Sequence, residues 1–201
     1  IKPEITIDAA VVGYARNDFG VSELLLALMK PDGVFRLIGR VKTGWSRAES
    51  FDLLNRLTPL ACTSSYRKAN DHAVLYRWVR PEIVVETKCN DAIAANSKEE
   101  PVRRMALRYE DETGWSPLGP MPSISMINSV FRRVREDKRA LRPDVRFEQV
   151  SDLVPIAEQT SIALTSLPAS GIIRREVYTK RTQNGLAVRK LVCWRTKKRE
   201  I

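Results

Sequence analysis

A chain of 201 residues with 43% hydrophobic content can bury one good core, or one domain with a sizeable appendage, and is expected to be globular. Thirty-four Lys and Arg against 24 Asp and Glu leave a net charge of +10 and a pI near 9.8, which favours a polyanionic partner, nucleic acid foremost, without identifying it. His72 alone and three scattered cysteines, Cys62, Cys89 and Cys193, exclude a zinc site or a histidine-based triad, so any metal chemistry must use carboxylates.

The cysteines read as reduced, buried thiols of a cytoplasmic protein. No apolar run approaches the roughly 20 residues needed to span a bilayer, and no signal-peptide pattern opens the chain, so no membrane partner is expected. The opening IKPE lacks an initiator Met and reads as the interior of a longer protein.

In chain order, residues 5–15 (ITIDAAVVGYA) are rich in β-branched side chains, and 22–29 and 34–41 continue the pattern with turn residues between them, predicting a three-stranded antiparallel meander. Residues 46–57 (SRAESFDLLNRL) switch to helical spacing, with Phe51, Leu54 and Leu57 on one face, Ser46 as N-cap and Glu49 three residues on. Further strands are predicted at 83–88 and 102–109. Five strands with an inserted helix are what a small OB-fold barrel needs, so the fold class is mainly β, an OB barrel followed by an extension. Residues 110–125, with Gly114, Pro117, Gly119, Pro120 and Pro122, read as an irregular ordered connection. After Pro143 the chain changes character: 147–163 is mixed and partly helical, and a hairpin of 172–180 and 186–195 flanks the turn signal Asn184-Gly185.

Residues 131–138 (FRRVREDK) carry the most informative pattern, and RVREDK resembles motif VI of the ATP-dependent DNA ligases, covalent nucleotidyltransferases related to the capping enzymes. Three further matches occur in family order. Residues 41–46 (VKTGWS) resemble the K-x-G-T-G-F-S region that opens the OB helix, 78–91 (WVRPEIVVETKCND) resemble the P-x-x-V-x-E-V-K strand, and Lys2 with the strand after it resembles the tail of motif V. The resemblance covers roughly residues 1–138 and implies an OB-fold domain over 1–143, with 144–201 as a C-terminal extension. It departs from the family in two places: some twenty residues separate residues 107–110 from Phe131, where relatives run almost directly into motif VI, and the tail after Pro143 has no recognised counterpart.

The resemblance implies that Arg133, Arg135 and Lys138 face the β and γ phosphates of ATP, with Asp137 as an orienting carboxylate and Lys2 as a further phosphate contact. Displacing pyrophosphate develops charge on the departing oxygens, and positioned Arg and Lys donors stabilise it. The intact enzyme would use ATP and Mg, form a lysyl-adenylate and seal nicked duplex DNA, with an N-terminal adenylation domain as the partner in cis. In such enzymes the OB domain turns so that a second face meets DNA after adenylation. The chain alone is expected to be inactive and to hold neither cofactor tightly. Lys30-Pro31-Asp32-Gly33 fits K-x-D-G, but Val34 and Phe35 follow where the adenylated-lysine motif continues Gly-x-Arg, and Pro-Asp-Gly between two strands is ordinary hairpin chemistry.

Residues 172–201 hold ten Lys and Arg against Glu176 and Glu200, which supplies most of the net charge. Arg174, Arg175, Lys180, Arg181, Arg189 and Lys190 are the candidate nucleic-acid contacts, a phosphate-tracking stripe with Tyr178 and Trp194 as stacking or packing aromatics. The alternative there is a solvated hairpin face. For the chain as a whole the alternatives are a noncatalytic OB module that only binds nucleic acid, or the OB domain of an RNA ligase or capping-type enzyme. A simple strand binder has no need of a triphosphate-orienting segment, which separates these readings.

Overall fold

In a computed structural model of the chain, which describes residues 4–156 and the strand backbone of Glu176–Arg181 and Ala187–Val192, the apolar opening forms three antiparallel strands. They are β1 (Ile5–Asn17), β2 (Gly20–Met29) and β3 (Phe35–Val41). Ala9, Ala10, Val11 and Val12 are all fully buried, as are Leu24, Leu26, Ala27 and Leu28. Both faces of these strands are covered, which is why their sequences run on without period-two alternation.

Helix α1 (Arg47–Leu57) starts at a complete capping box: the Glu49 N–H donates to Ser46 Oγ at 3.2 Å and the Ser46 N–H donates to the Glu49 carboxylate at 2.7 Å. Its buried face is Ser50, Leu53 and Leu57, and the expected Phe51 is 40% exposed. The helix docks through a polar residue, since Ser50 Oγ donates to the carbonyls of Phe19 and Val21 at the β1–β2 turn, 3.1 and 2.9 Å away. Hydrophobic spacing alone therefore set the face about one residue out of phase.

The later strands are β4 (Arg77–Trp78), β5 (Val84–Cys89), β6 (Asp91–Ile93), β7 (Arg103–Glu110), β8 (Gly114–Pro122), β9 (Ser125–Ile127) and β10 (Val130–Val134). The main sheet is antiparallel, in the order β10-β5-β1-β2-β3-β7-β8, with β4 beside β1 and β6 paired with β9 apart from it. The five strands β3-β2-β1-β5-β10 follow the order of an OB barrel. Their ends meet where the Phe131 N–H donates to the Thr43 carbonyl at 2.8 Å. Gly44 permits that closure: its φ is +109°, and a Cβ there would sit 2.2 Å from the Phe131 carbonyl oxygen.

This corrects two expectations. The strand expected at 102–109 exists as β7, but it pairs with β3 and β8 outside the barrel, and the fifth barrel position belongs to β10. The run 110–125, expected to be irregular, contains the nine-residue strand β8. Its prolines are tolerated because β8 is the edge of the sheet, where a missing N–H breaks no ladder on the outer side. Trp115 on β8 pins this hairpin to the barrel: it is fully buried, its indole N–H donates to the Val79 carbonyl at 2.8 Å, and its ring meets Phe35 edge-on at 5.2 Å.

After β10 the chain returns to β2, where the Met29 N–H donates to Val145 at 2.7 Å and the Phe147 N–H donates back to Met29 at 2.8 Å. Val145, Phe147 and Val150 are buried there, the last on the short helix α2 (Glu148–Ser151). The compact unit, counting this returning segment with the barrel, runs to Ile156. Of the segment 147–163 expected to be partly helical, residues beyond 156 lie outside the described ones. In the second unit, β11 (Glu176–Arg181) and β12 (Ala187–Val192) pair antiparallel from Glu176 with Val192 to Arg181 with Ala187. That register brackets the expected Asn184-Gly185 turn, whose residues lie outside the described ones.

Candidate functional site

Strand β10 is held against β5 with a register shift between Phe131 and Arg133, so Arg132 is an extra residue in the strand. Such a bulge re-aims the side chains that follow it. Arg132 lies toward Glu4, 3.5 Å away, while Arg133 faces Glu86 of β5, Nε to carboxylate 2.8 Å. The chain then leaves the sheet in a turn: the Arg135 N–H donates to the Val84 carbonyl at 2.8 Å and the Lys138 N–H donates to the Arg135 carbonyl at 3.2 Å. This places the Arg135 and Lys138 side chains over β1.

Asp8 waits there. Arg135 Nη1 donates to one of its carboxylate oxygens at 2.8 Å and Lys138 Nζ donates to the other at 2.6 Å. Arg135 also grips Asp137 in bidentate fashion, through Nε at 2.9 Å and Nη2 at 2.8 Å, and lies 3.6 Å from Glu86. The Arg135 and Asp8 side chains are only 16% and 15% exposed, so their contact is sheltered, whereas Asp137 is open to solvent. The hydrogen bonds from Arg135 hold the Asp137 carboxyl well below the usual carboxylate range, and the same contact raises the guanidinium further above its own.

Gln149 of α2 fixes the backbone under this cluster. The Asp8 N–H donates to its side-chain oxygen at 3.0 Å, and its amide nitrogen donates to the Asp8 carbonyl at 2.9 Å. Gln149 thereby substitutes for a missing strand neighbour on this stretch of β1 and sets the height of the carboxylate.

Arg133, Arg135, Asp137 and Lys138 are thus brought together. Lys2, Arg174 and Arg175 lie outside the described residues, and of Lys180, Arg181, Arg189 and Lys190 only the backbone register is described, opposite Val188, Ala187, Thr179 and Tyr178. Lys30 opens the β2–β3 turn, closed by the Gly33 N–H on the Lys30 carbonyl at 3.0 Å. Sequence reasoning passed over Asp8, Glu86 and Gln149. For Asp8 a signal existed, a lone charge inside an apolar strand, and such a charge calls for a partner. Gln149 carried none.

Arg135 and Lys138 form a fork of cationic donors closed on one bidentate carboxylate, and the same fork suits two oxygens of a phosphate group. Among the described residues no group of three or more His, Cys, Asp or Glu comes together as a metal site. No helix of the described residues is long and apolar enough to cross a membrane.

A family model described as the ATP dependent DNA ligase C terminal region matches residues 17–138. Among solved structures, the ligase domain of M. tuberculosis LigD is 24% identical over 68% of this chain and 37% of that chain, with a TM-score of 0.44. Mycobacterial DNA ligase D complexed with ATP and MES is 21% identical over 70% of this chain and 37% of that chain, with a TM-score of 0.45. The chain therefore spans little more than a third of the length of those structures. A search of curated proteins found no match.

Proposed function

Because this chain belongs to the ATP-dependent DNA ligase C-terminal region family, matched over more than half its length, we propose that residues 131–138 act as the phosphate-orienting segment of a DNA ligase that seals nicked duplex DNA. The observation that carries this reading is the convergence of Arg135 and Lys138 on the two oxygens of Asp8, at 2.8 and 2.6 Å. ATP, when bound to the adenylation domain, would supply the adenylyl group and the departing pyrophosphate. Arg135 and Lys138 exchange the Asp8 carboxylate for phosphate oxygens, and Arg133, already at the solvent edge beside Glu86, adds a third cation. Asp137 keeps the Arg135 guanidinium in plane through the exchange, because its bidentate contact uses the nitrogens that do not reach Asp8.

Asp8 is then a resting counter-ion and not a passive neighbour. Cations stored against a carboxylate are neutralised when the segment is idle, and the exchange costs far less than exposing bare charges in a sheltered site. In the intact enzyme, Arg135→Ala or Lys138→Ala should impair self-adenylation far more than sealing of a nick that already carries the 5′-adenylate. Equal losses in the two assays would remove this role from the segment.

A further inference from the structure

A second basic region lies outside that network. A pocket of about 200 Å³ opens between β2, β3 and β7, with Leu37, Gly39, Tyr66, Lys68, Arg103 and Arg104 among its walls and no carboxylate lining it. Arg104 is fixed in place, its Nε donating to the Ile124 carbonyl at 2.7 Å and Nη2 to Ser125 Oγ at 2.8 Å. The side chains of Lys68 and Arg103 make no hydrogen bond or ion pair among the described residues. The nearby acids are already engaged elsewhere. Glu23 lies 3.7 Å from both Arg40 and Lys42, and Asp71 accepts from the same two side chains.

Five cations therefore share two carboxylates, and the three left over are those of the pocket. The imbalance is felt by the groups themselves. Burial first, and then the charges of Arg104 and Arg40, push the Lys68 ammonium below its usual range against a smaller opposing pull from Asp71, and burial with Arg40 does the same to Arg104. Like charges held together in a partly buried site cost stability, and a bound anion reverses that cost. The barrel strands β2 and β3 supply Leu25, Leu37 and Gly39 to the pocket, whereas its cations come from segments that a bare five-stranded barrel lacks, namely the β7–β8 hairpin and the stretch between α1 and β4.

We propose that Lys68, Arg103 and Arg104 form a phosphate-binding pocket, separate from the Arg135 site, that takes one phosphate of the nucleic-acid backbone. The choice of nucleic acid over a free phosphate rests on the DNA-ligase reading above. A single pocket phosphate would fix the register of the duplex on the barrel without reading its sequence, the usual part played by backbone contacts.

The test uses the full chain, with inorganic phosphate and nicked duplex as probes and Lys68→Met, Arg103→Met and Lys68→Arg as variants. Phosphate should raise the melting temperature of the parent chain and compete with the duplex. Each Met variant should lose most of that rise and lower the log-log salt slope of duplex binding by about 0.9, and Lys68→Arg should restore both. Without phosphate, Lys68→Met should melt no lower than the parent, because it removes a cation from a repulsive site; this confirms that the variant folds. Met variants with the parent's slope and phosphate response would overturn the pocket. A lost phosphate response with an unchanged slope would overturn the nucleic-acid assignment and leave a free phosphate as the ligand. If the parent itself fails to bind nicked duplex, the reading of this chain as a DNA-contacting part of the ligase falls, and the phosphate response alone decides for or against the pocket.

Discussion

Along residues 131–138 Arg133, Arg135 and Lys138 face Glu86, Asp8 and Asp137, and Arg132 faces Glu4, so every cation of the segment has a carboxylate. Around the pocket none of the three cations, Lys68, Arg103 and Arg104, is paired with a carboxylate among the described residues, and Asp71 acts on Lys68 only at a distance. Both regions suit phosphate, but they differ in what happens when phosphate is absent. A matched cluster is stable alone and binds by exchanging partners, so its affinity is reduced by the contacts it must break. An unmatched cluster is strained alone and binds to relieve repulsion, so its ligand acts as part of the fold. The first arrangement suits a transient step in a reaction cycle, the second a standing grip on a substrate.

The largest expected effect comes from removing what builds the second region at all. Trp115→Ala empties a fully buried indole site between the β7–β8 hairpin and the barrel and should cost about 3–5 kcal/mol in denaturant melts. The stabilisation by inorganic phosphate should vanish with it. A loss below about 1 kcal/mol would mean that the hairpin is not anchored by this residue.

Asp8→Asn is the next in size and converts the first region into the second. Two sheltered donors, Arg135 and Lys138, lose their common acceptor charge, at a cost of about 1–3 kcal/mol. The variant, unlike the parent, should then gain stability from phosphate or pyrophosphate through this site, read as a ligand-dependent rise in melting temperature. An Asp8→Asn chain as stable as the parent and indifferent to both anions would show that Asp8 is no counter-ion for the fork.

Much of this was legible before the structure, and the failures share a cause. Local rules worked where the determinant is local: the Ser46–Glu49 capping box starts α1 as read, and the Lys30-Pro31-Asp32-Gly33 turn is a hairpin turn. They failed where pairing is decided at long range. Residues 103–110 and 130–134 both read as strand, and only the register of β10 with β5 and the closure at Thr43 say which one completes the barrel. Pro117, Pro120 and Pro122 mark irregular chain by composition, yet an edge strand absorbs them. The basic segment itself was visible in RVREDK. Its counter-ion was not, because Asp8 lies 127 residues from Arg135 in sequence. The pocket was invisible for the same reason: residue 68 and residues 103 and 104 meet only once the hairpin has docked on β3.

The smallest expected effect sharpens the surroundings of the second region, where Tyr76 donates to the buried Glu23 that lies beside Arg40 and Lys42. Burial, and then the hydrogen bond to Glu23 and its charge, push the Tyr76 phenol above its ordinary range. A folded-state pKa raised above the unfolded one gives stability that is fully present below pH about 10 and is lost as the pH climbs from there toward the folded value, because the unfolded tyrosine ionises first. Tyr76→Phe should therefore cost about 1 kcal/mol at pH 7, for the lost hydrogen bond, and this deficit should shrink above pH about 10 as the parent loses stability that the variant never had. Chemical melts at pH 7 and 10.5 measure the difference, and ultraviolet titration of the folded parent should show a late-ionising tyrosine signal that is absent from Tyr76→Phe. A deficit that stays constant or widens with pH would mean that Glu23 does not hold Tyr76 protonated, and that Glu23 has acid capacity to spare for the cations of the pocket.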